Sequence, residues 1–412
     1  MMLCRSTILH ALVVCAVSLV PADGHCVCNG QSHGRPGAIG TACARWDAPD
    51  EKPWCHVKPG ACGKNTFESR AGVFWSHEPC LHVPAAELVR PAVYTSAGSA
   101  PGGTKRIGIA ITLTKDGTHT GYLDGAAVLK QSVTAAKSKY NIDMIAIVHP
   151  SVQKSRALLR KLGYIVVEKK WPFTSAGIKR KHLRETIDKS GCCGMSELIK
   201  LGAWEFEQYH RVMLLDSDSL VMHNLDEVFD QPEDFLYTYD RNMDGPWSKK
   251  PPVQGGFFVL KPSKAKYHTL VELVREGDFR EGTGWGGKGI GWCYGGQTVQ
   301  GLLSYYANIV LPQMKGTAKE MDSAIYNNMA SNVNAAGRKQ EAVPASDIKL
   351  AHFTTCQKPW TFCGHGGSIA CEGMLKAWWG FRAEFEGSRG LNLSKRCGGA
   401  NGDYVGFDFG KL

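Results

Sequence analysis

An apolar run ends in two acids at Arg211-Val212-Met213-Leu214-Leu215-Asp216-Ser217-Asp218. In an extended chain, residues two apart point to the same side, so both carboxylates of this Asp-x-Asp motif can reach one hard cation. In open α/β sheets, ligands bind beyond the carboxyl ends of the strands, where this pair would emerge. The pattern predicts a strand followed by a divalent-metal site. The alternative is a pair of loop acids that cap the following helix.

Short apolar runs alternate with helical patterns around this segment. Residues 106–114 form an apolar, β-branched run suited to a buried strand, and the apolar residues of 125–137 recur at helical spacing. Two further strands are predicted at 143–149 and 164–167, with a helix at 152–162 between them. This alternation predicts an α/β domain with a largely parallel sheet covered by helices on both faces.

The first residues predict an export signal. Arg5 precedes a mostly apolar stretch over residues 7–20, and we expect cleavage near Ala22 or Gly24. An uncleaved anchor is the alternative, although the apolar run falls short of the roughly 20 residues that span a bilayer. The chain has 15 cysteines, and with an export signal they indicate disulfide bonds formed in an oxidising compartment. We therefore expect a protein of the secretory pathway, in the Golgi lumen or outside the cell.

Composition divides the chain into five parts. We assign residues 1–24 to the signal peptide, 25–82 to a Cys-rich module, 83–104 to a linker, 105–385 to the main α/β domain and 386–412 to a C-terminal tail. The cysteines of the module are interpreted as disulfides rather than zinc ligands because of the export signal. Its tryptophans either stack on sugar rings or fill a small core.

The formal net charge of +10 is spread along the chain. The simplest interpretation is a solvated surface, and the alternative is a preference for an anionic acceptor or a membrane surface. None of the recognised nucleic-acid-binding motifs accompanies the charge, so no nucleic-acid partner is expected. No segment other than the signal is apolar enough to cross a membrane, so no transmembrane span is expected once the signal is cleaved.

The sequence resembles the glycogenin-like members of glycosyltransferase family eight at several segments that follow one another in the family's order. They are ITLT (111–114) with GYLDGA (121–126), LLDSDSLVMHNLDEVF (214–229), GGFFVLKPS (255–263), QTVQGLL (297–303) and HFTTCQKPW (352–360). The resemblance implies a Rossmann-like nucleotide-sugar transferase fold of the GT-A type. It also implies metal-dependent transfer of a hexose or related sugar, with retention, from a UDP-sugar to a hydroxyl of a glycan or protein.

Residue roles carry over where the segments match. The resemblance implies Mn²⁺, or Mg²⁺, held by Asp216, Asp218 and His352. It assigns donor binding to Leu113, Thr114, Tyr122, Lys200, Ser217, Gln254 and Lys358. It places Asp240 and Gln297 beside the reacting sugar as catalytic residues.

Two departures from the family pattern stand out. Gln254-Gly255-Gly256 replaces the usual Asn-Ser-Gly, so the amide reaches one methylene further. Gly296-Gln297 replaces Asp-Gln, which removes a carboxylate and motivates an alternative: a secreted carbohydrate-binding protein with a decayed transferase fold.

The glycine-rich stretch at 282–293 formally fits a G-x-G-x-x-G pattern, but no β-α unit begins there, so we do not interpret it as a phosphate loop. It is either a wall of the acceptor groove with Trp285 and Trp292 as sugar-stacking platforms, or an ordinary surface loop.

Overall fold

A computed structural model describes residues 105–116, 121–191, 193–243, 248–360, 367–391 and 404–411. It also gives the backbone of three short strands, β1 (Cys55–His56), β2 (Phe67–Glu68) and β3 (Phe74–Ser76), which pair antiparallel with β3 in the middle. The predicted export signal, the predicted linker and the rest of the Cys-rich module lie outside the described residues.

The main body contains eleven described strands. In chain order they are β4 (Arg106–Leu113), β5 (Asn141–Val148), β6 (Ile165–Glu168), β7 (Arg211–Leu215), β8 (Ser219–Val221), β9 (Phe235–Tyr239), β10 (Val253–Leu260), β11 (Phe279–Arg280), β12 (Gly284–Trp285), β13 (Ala318–Glu320) and β14 (Leu350–His352).

The described α-helices are α1 (Gly121–Ala135), α2 (Lys154–Lys161), α3 (Lys181–Thr186), α4 (Asp226–Phe229), α5 (Lys264–Glu276), α6 (Val299–Tyr305), α7 (Leu311–Gln313), α8 (Ser323–Tyr326) and α9 (Ile369–Gly387). A 3₁₀ helix over Gly194–Glu205 leads into β7. Within the described part of the chain, no helix combines the length and apolar character needed to cross a membrane.

A seven-stranded sheet in the order β13-β9-β10-β7-β4-β5-β6 forms the centre of the body. The pairs β4–β5, β5–β6, β4–β7 and β13–β9 are parallel, whereas β10 runs antiparallel to both of its neighbours. The strands β7, β9 and β10 are buried along their whole length, as expected for strands covered on both faces. The predicted α/β fold with a largely parallel sheet is confirmed.

Helices cover both faces of this sheet. On one face, α1 and α9 pack over alternate residues of β4 and contribute Leu129 and Trp378. On the other face, the 3₁₀ helix, α5 and α6 pack together around Trp204, Leu270 and Leu302. The sheet is therefore the middle layer of three.

A small two-stranded sheet brings His352 next to the Asp-x-Asp motif. Strand β14 pairs antiparallel with β8, and His352 lies opposite Ser219, the residue after the second acid of the Asp-x-Asp motif. The Phe353 N–H donates to the backbone oxygen of Asp218 at 2.9 Å. A disulfide between Cys356 and Cys371 then links this segment to the first turn of α9.

Candidate metal centre

Three predicted metal ligands meet where β7 ends. His352 Nε2 lies 3.4 Å from Asp218 Oδ1 and 4.0 Å from Asp216 Oδ2. One ligand atom from each residue lies within 4.8 Å of the others, and Asp218 and His352 are buried. Two carboxylates and an imidazole form a donor set that suits Mn²⁺ and also permits Mg²⁺.

Gly256 provides the space that these ligands occupy. It lies on β10 next to Asp216, whose N–H donates to the Gly256 oxygen at 3.2 Å. A Cβ at this position would lie 2.5 Å from His352 Cε1 and 2.7 Å from Asp216 Oδ2. The ligand side chains thus fill the volume that any other residue would need, and the three residues fit a divalent ion.

Each acid is paired with a lysine. Lys358 donates to Asp218 Oδ2 in a short contact and to the Phe353 oxygen at 3.2 Å. Lys200, almost fully buried, lies 3.0 Å from Asp216 Oδ1 and donates to the Gly255 oxygen at 3.1 Å. Both lysines predicted for donor binding therefore flank the acids.

The two acids differ in their electrostatics. Burial raises the pKa of the Asp216 carboxyl, and the positive charge of Lys200 offsets only part of this rise. For Asp218, burial is outweighed by the positive charge of a protonated His352 ring and of Lys358, which hold the pKa of its carboxyl well below the usual range. Asp218 is therefore the acid that stays ionised most firmly.

Glu197 was missed by the sequence analysis. Its Oε2 lies 2.8 Å from Lys200 Nζ, one helical turn away on the same 3₁₀ helix. Burial alone would lower the pKa of Lys200, but Asp216 and Glu197 outweigh it and raise that pKa. An acid at position i−3 from a lysine is a recognised pairing signal on a helix, so this contact was available from spacing.

The start of α1 forms the neighbouring wall. Tyr122 is 45% exposed, and its ring meets the Trp360 ring edge-on at 5.7 Å between centroids. A Cβ on Gly125 would lie 2.4 Å from the backbone oxygen of Ser217, so this helix approaches the acid motif as closely as backbone allows. Thr114, just beyond β4, accepts from Ser151 Oγ at 2.9 Å through its backbone oxygen. Leu113, the last residue of β4, is partly buried beside the core of this side.

The two predicted catalytic residues, Asp240 and Gln297, contact different parts of the protein. Asp240 is buried and accepts from Asn332 Nδ2 at 3.0 Å, and burial raises the pKa of its carboxyl. Gln297 instead turns to α3, where its amide donates to Thr186 Oγ1 at 2.7 Å. Gln300, on α6, stands beside Gly255: its Cγ lies 3.4 Å from where a Cβ on that glycine would be. The structure thus brings Gln300 to the Lys200 side of the site.

The side-chain oxygen of Gln254 forms hydrogen bonds within the protein. Its side chain is buried, and Oε1 accepts from the Gly256 N–H at 2.6 Å. The same oxygen lies 3.4 Å from Asn327 Nδ2. The oxygen of this amide is therefore engaged by the protein itself.

The glycine-rich loop is held by its own tryptophan. Trp285 is 1% exposed and donates from Nε1 to the Gly296 oxygen at 2.8 Å, so its sugar-stacking role is excluded. Trp292 is partly buried and packs on Phe279 at 5.6 Å between ring centroids. A Cβ on Gly296 would lie 1.7 Å from the Gly291 oxygen, so this position has no room for the carboxylate of the family pattern.

Comparison with known proteins identifies the class as glycosyltransferase. No family model matches the chain. Among curated relatives, galactinol synthase 1 of Ajuga reptans is 26% identical over 297 residues, covering 63% of this chain and 76% of that protein. Galactinol synthase 2 of Arabidopsis thaliana is 24% identical over 322 residues, covering 68% and 82%. Human glycogenin-2 is 25% identical over 304 residues, covering 69% and 52%.

These relatives confirm the predicted resemblance to glycogenin-like glycosyltransferases of family eight. Among solved structures, a search returned the galactosyltransferase LgtC with donor and acceptor sugar analogues, at 16% identity and a TM-score of 0.39 over 70% of this chain and 97% of that one. Mouse xyloside xylosyltransferase 1 has 13% identity and a TM-score of 0.38 over 61% and 98%.

Proposed function

We propose that this protein is a metal-dependent, retaining glycosyltransferase that moves a hexose or related sugar from a UDP-sugar to a hydroxyl of a glycan or protein. The observation that carries this proposal is the convergence of Asp216, Asp218 and His352 between two lysines at the carboxyl end of β7. The relatives named galactinol synthase and glycogenin support sugar transfer as the reaction class.

The site supplies what departure of UDP requires. A divalent ion, when bound, neutralises charge that builds up on the diphosphate. Lys358 and Lys200 place fixed positive charge on both sides of the acids, where charge-assisted hydrogen bonds to phosphate oxygens are strong. The exposed ring of Tyr122 offers a stacking surface for uracil beside them.

The test is donor hydrolysis and transfer by purified protein with UDP-glucose, UDP-galactose, UDP-xylose and UDP-glucuronic acid. We expect one donor to release UDP with Mn²⁺ and none to do so with chelator. Asp218→Asn should reduce turnover by about 10²-fold or more, because one preorganised electrostatic contact contributes roughly 3 to 4 kcal/mol.

Asp347→Asn is the matched control, because this exposed acid pairs only with Arg338 among its described salt bridges. It makes the same chemical change on the surface and should keep wild-type turnover. Glycan binding without turnover of any donor would instead favour the carbohydrate-binding alternative.

We further propose that the protein acts in the secretory pathway. The disulfide between Cys356 and Cys371 supports an oxidising compartment, because such bonds are rare in the cytosol. Expression in cultured animal cells should give a protein in the Golgi or the medium whose mature N-terminus lies near Ala22 or Gly24. An intact N-terminus on cytosolic protein would contradict this proposal.

A further inference from the structure

We propose that Gln254 and Asn327 are positioning residues that fix the tautomer of His352, with the proton on Nδ1 and the Nε2 lone pair facing the two acids. The consequence of this tautomer for metal binding rests on the proposed function. The tautomer of His352 can itself be measured without metal, donor or acceptor. One line of buried hydrogen bonds joins a backbone N–H on β10 to the imidazole ring.

The first step fixes the Gln254 amide. The Gly256 N–H lies 2.6 Å from Oε1 of Gln254. A backbone N–H only donates, so the atom it meets is the carbonyl oxygen and not the NH₂ group. Gln254 is buried, so no rotation into solvent competes with this orientation.

The second step fixes Asn327. Its Nδ2 donates to Thr238 Oγ1 at 2.8 Å and lies 3.4 Å from Gln254 Oε1. Because the Gln254 atom is an oxygen with its orientation already set, the facing group of Asn327 must be its NH₂. The opposite orientation would place two carbonyl oxygens against each other in a buried setting, which is costly.

The third step fixes His352. With the NH₂ of Asn327 turned to Gln254, its Oδ1 lies 3.2 Å from His352 Nδ1. A carbonyl oxygen only accepts, so Nδ1 carries the proton and Nε2 of the neutral ring presents its lone pair. That lone pair points at the gap between Asp218 Oδ1 and Asp216 Oδ2, at 3.4 and 4.0 Å.

This network opposes the local preference of the ring. Two carboxylates beside Nε2 favour a proton on that nitrogen, which would donate to Asp218 and block metal ligation. Metal-bound histidines are usually held by a partner at the second nitrogen. An amide partner can rotate, so it needs a further contact, and Gln254 supplies it.

The experiment uses the full-length protein with ¹⁵N-labelled histidine and no metal, at alkaline pH, with ring nitrogens read by ¹⁵N–¹H correlation. His352→Gln identifies the signal among the 14 histidines. We expect the Nδ1–H form in the wild type. Gln254→Leu removes the orienting oxygen, so the Nε2–H form should replace it and Mn²⁺ affinity should fall by about 10 to 100-fold.

A second variant tests the direction of the relay. Asp has no NH₂ to rotate, so Gln254→Leu combined with Asn327→Asp should restore the Nδ1–H form although both original amides are gone. Asn308→Leu is the matched control, since it removes partly buried amide contacts to Tyr239 and Ser304 without touching the network. It should lower the thermal midpoint and leave the tautomer unchanged.

Two results would overturn the inference: an Nε2–H ring in the metal-free wild type, or an unchanged ring in folded Gln254→Leu. The wild-type measurement decides even if the variants do not fold. Absence of donor turnover would remove the proposed function and leave the tautomer result intact.

Discussion

At the scale of single residues, two adjacent glycines on β10 differ in the room beside them. A Cβ on Gly256 would lie 2.5 Å from His352 Cε1, closer than real Cβ atoms come. A Cβ on Gly255 would meet its nearest neighbour, Gln300 Cγ, at an ordinary 3.4 Å. Only one of the two glycines is therefore required by the ligands.

We expect Gly256→Ala to weaken Mn²⁺ binding by at least about tenfold. The added methyl group would displace the side chains of two metal ligands and leave the strand in place. Gly255→Ala adds the same methyl group one residue away and should keep wild-type affinity. Calorimetric titration of Mn²⁺ into each purified variant measures both. Equal affinities for the two variants would show that the ligands are not held where the structure places them.

The residues that could be predicted are those with a local signal. The two acids follow from the two-residue period of a strand. His352 and Lys358 came only from the family resemblance, since they lie far along the chain and share no spacing with the acids. Asn327 had no signal at all, because its contact with the imidazole arises from tertiary packing.

At the scale of elements, the last described segment of the chain holds the start of helix α1. Asp124, fully buried on α1, accepts from the Phe407 N–H at 3.1 Å and from the Tyr404 hydroxyl in a short contact. Arg382 of α9 donates to the Val405 oxygen at 2.6 Å and lies 4.5 Å from the ring centroid of Phe407. Two helices and residues 404–411 therefore meet at one buried acid.

This junction predicts a pH dependence of stability. Burial raises the pKa of Asp124 from 3.8 to about 6, although Tyr404 and Arg382 oppose the rise. Because the folded-state pKa is the higher one, the contribution of the protonated acid is complete below about pH 4 and is lost as the pH rises through about 6. About two pKa units correspond to roughly 3 kcal/mol at most.

Asp124→Asn removes this titration. Between pH 4 and pH 7, the free energy of unfolding of this variant should therefore rise relative to that of the wild type, by roughly 3 kcal/mol at most. Urea unfolding at several pH values gives the comparison. Asp116→Asn is a useful contrast. Hydrogen bonds from the start of α2 outweigh the effect of burial and lower the pKa of Asp116 to about 2. The free energy of unfolding of Asp116→Asn should therefore not rise relative to that of the wild type between pH 4 and pH 7. Parallel pH profiles of the wild type and Asp124→Asn would contradict the assignment.

Elements were predictable where the pattern is continuous. The runs at 106–114, 143–149 and 164–167 correspond to β4, β5 and β6. Most of β4 and β5 is buried in the parallel part of the sheet, where strands are continuously apolar, whereas β6 is a partly exposed edge strand. The pairing of β8 with β14 and the antiparallel insertion of β10 between β7 and β9 were not predictable. Strand partners far apart in sequence leave no local mark.

At the scale of the whole molecule, the described cores draw on residues from Ile107 to Phe407. Phe407 is 6% exposed, and its ring lies 4.9 Å from that of Phe385 on α9. Residues assigned to a C-terminal tail thus form part of the packed body. The predicted boundary after residue 104 falls two residues before β4 begins.

Two truncated proteins test this organisation. Deletion of residues 25–104 with the signal retained should leave the unfolding midpoint of the body and its Mn²⁺ affinity unchanged, because the predicted linker separates the module from β4. Termination after residue 391 should destabilise the body by on the order of 3 to 5 kcal/mol, the usual cost of losing one buried aromatic side chain. That truncation also removes Asn392, which lies in Asn392-Leu393-Ser394 and so matches the Asn-x-Ser pattern of N-glycosylation acceptors. Full-length Asn392→Gln is therefore the control and should unfold like the wild type. If removing residues 25–104 lowers the midpoint as much as removing the C-terminal segment, the module is part of the same folding unit and the predicted boundary is wrong.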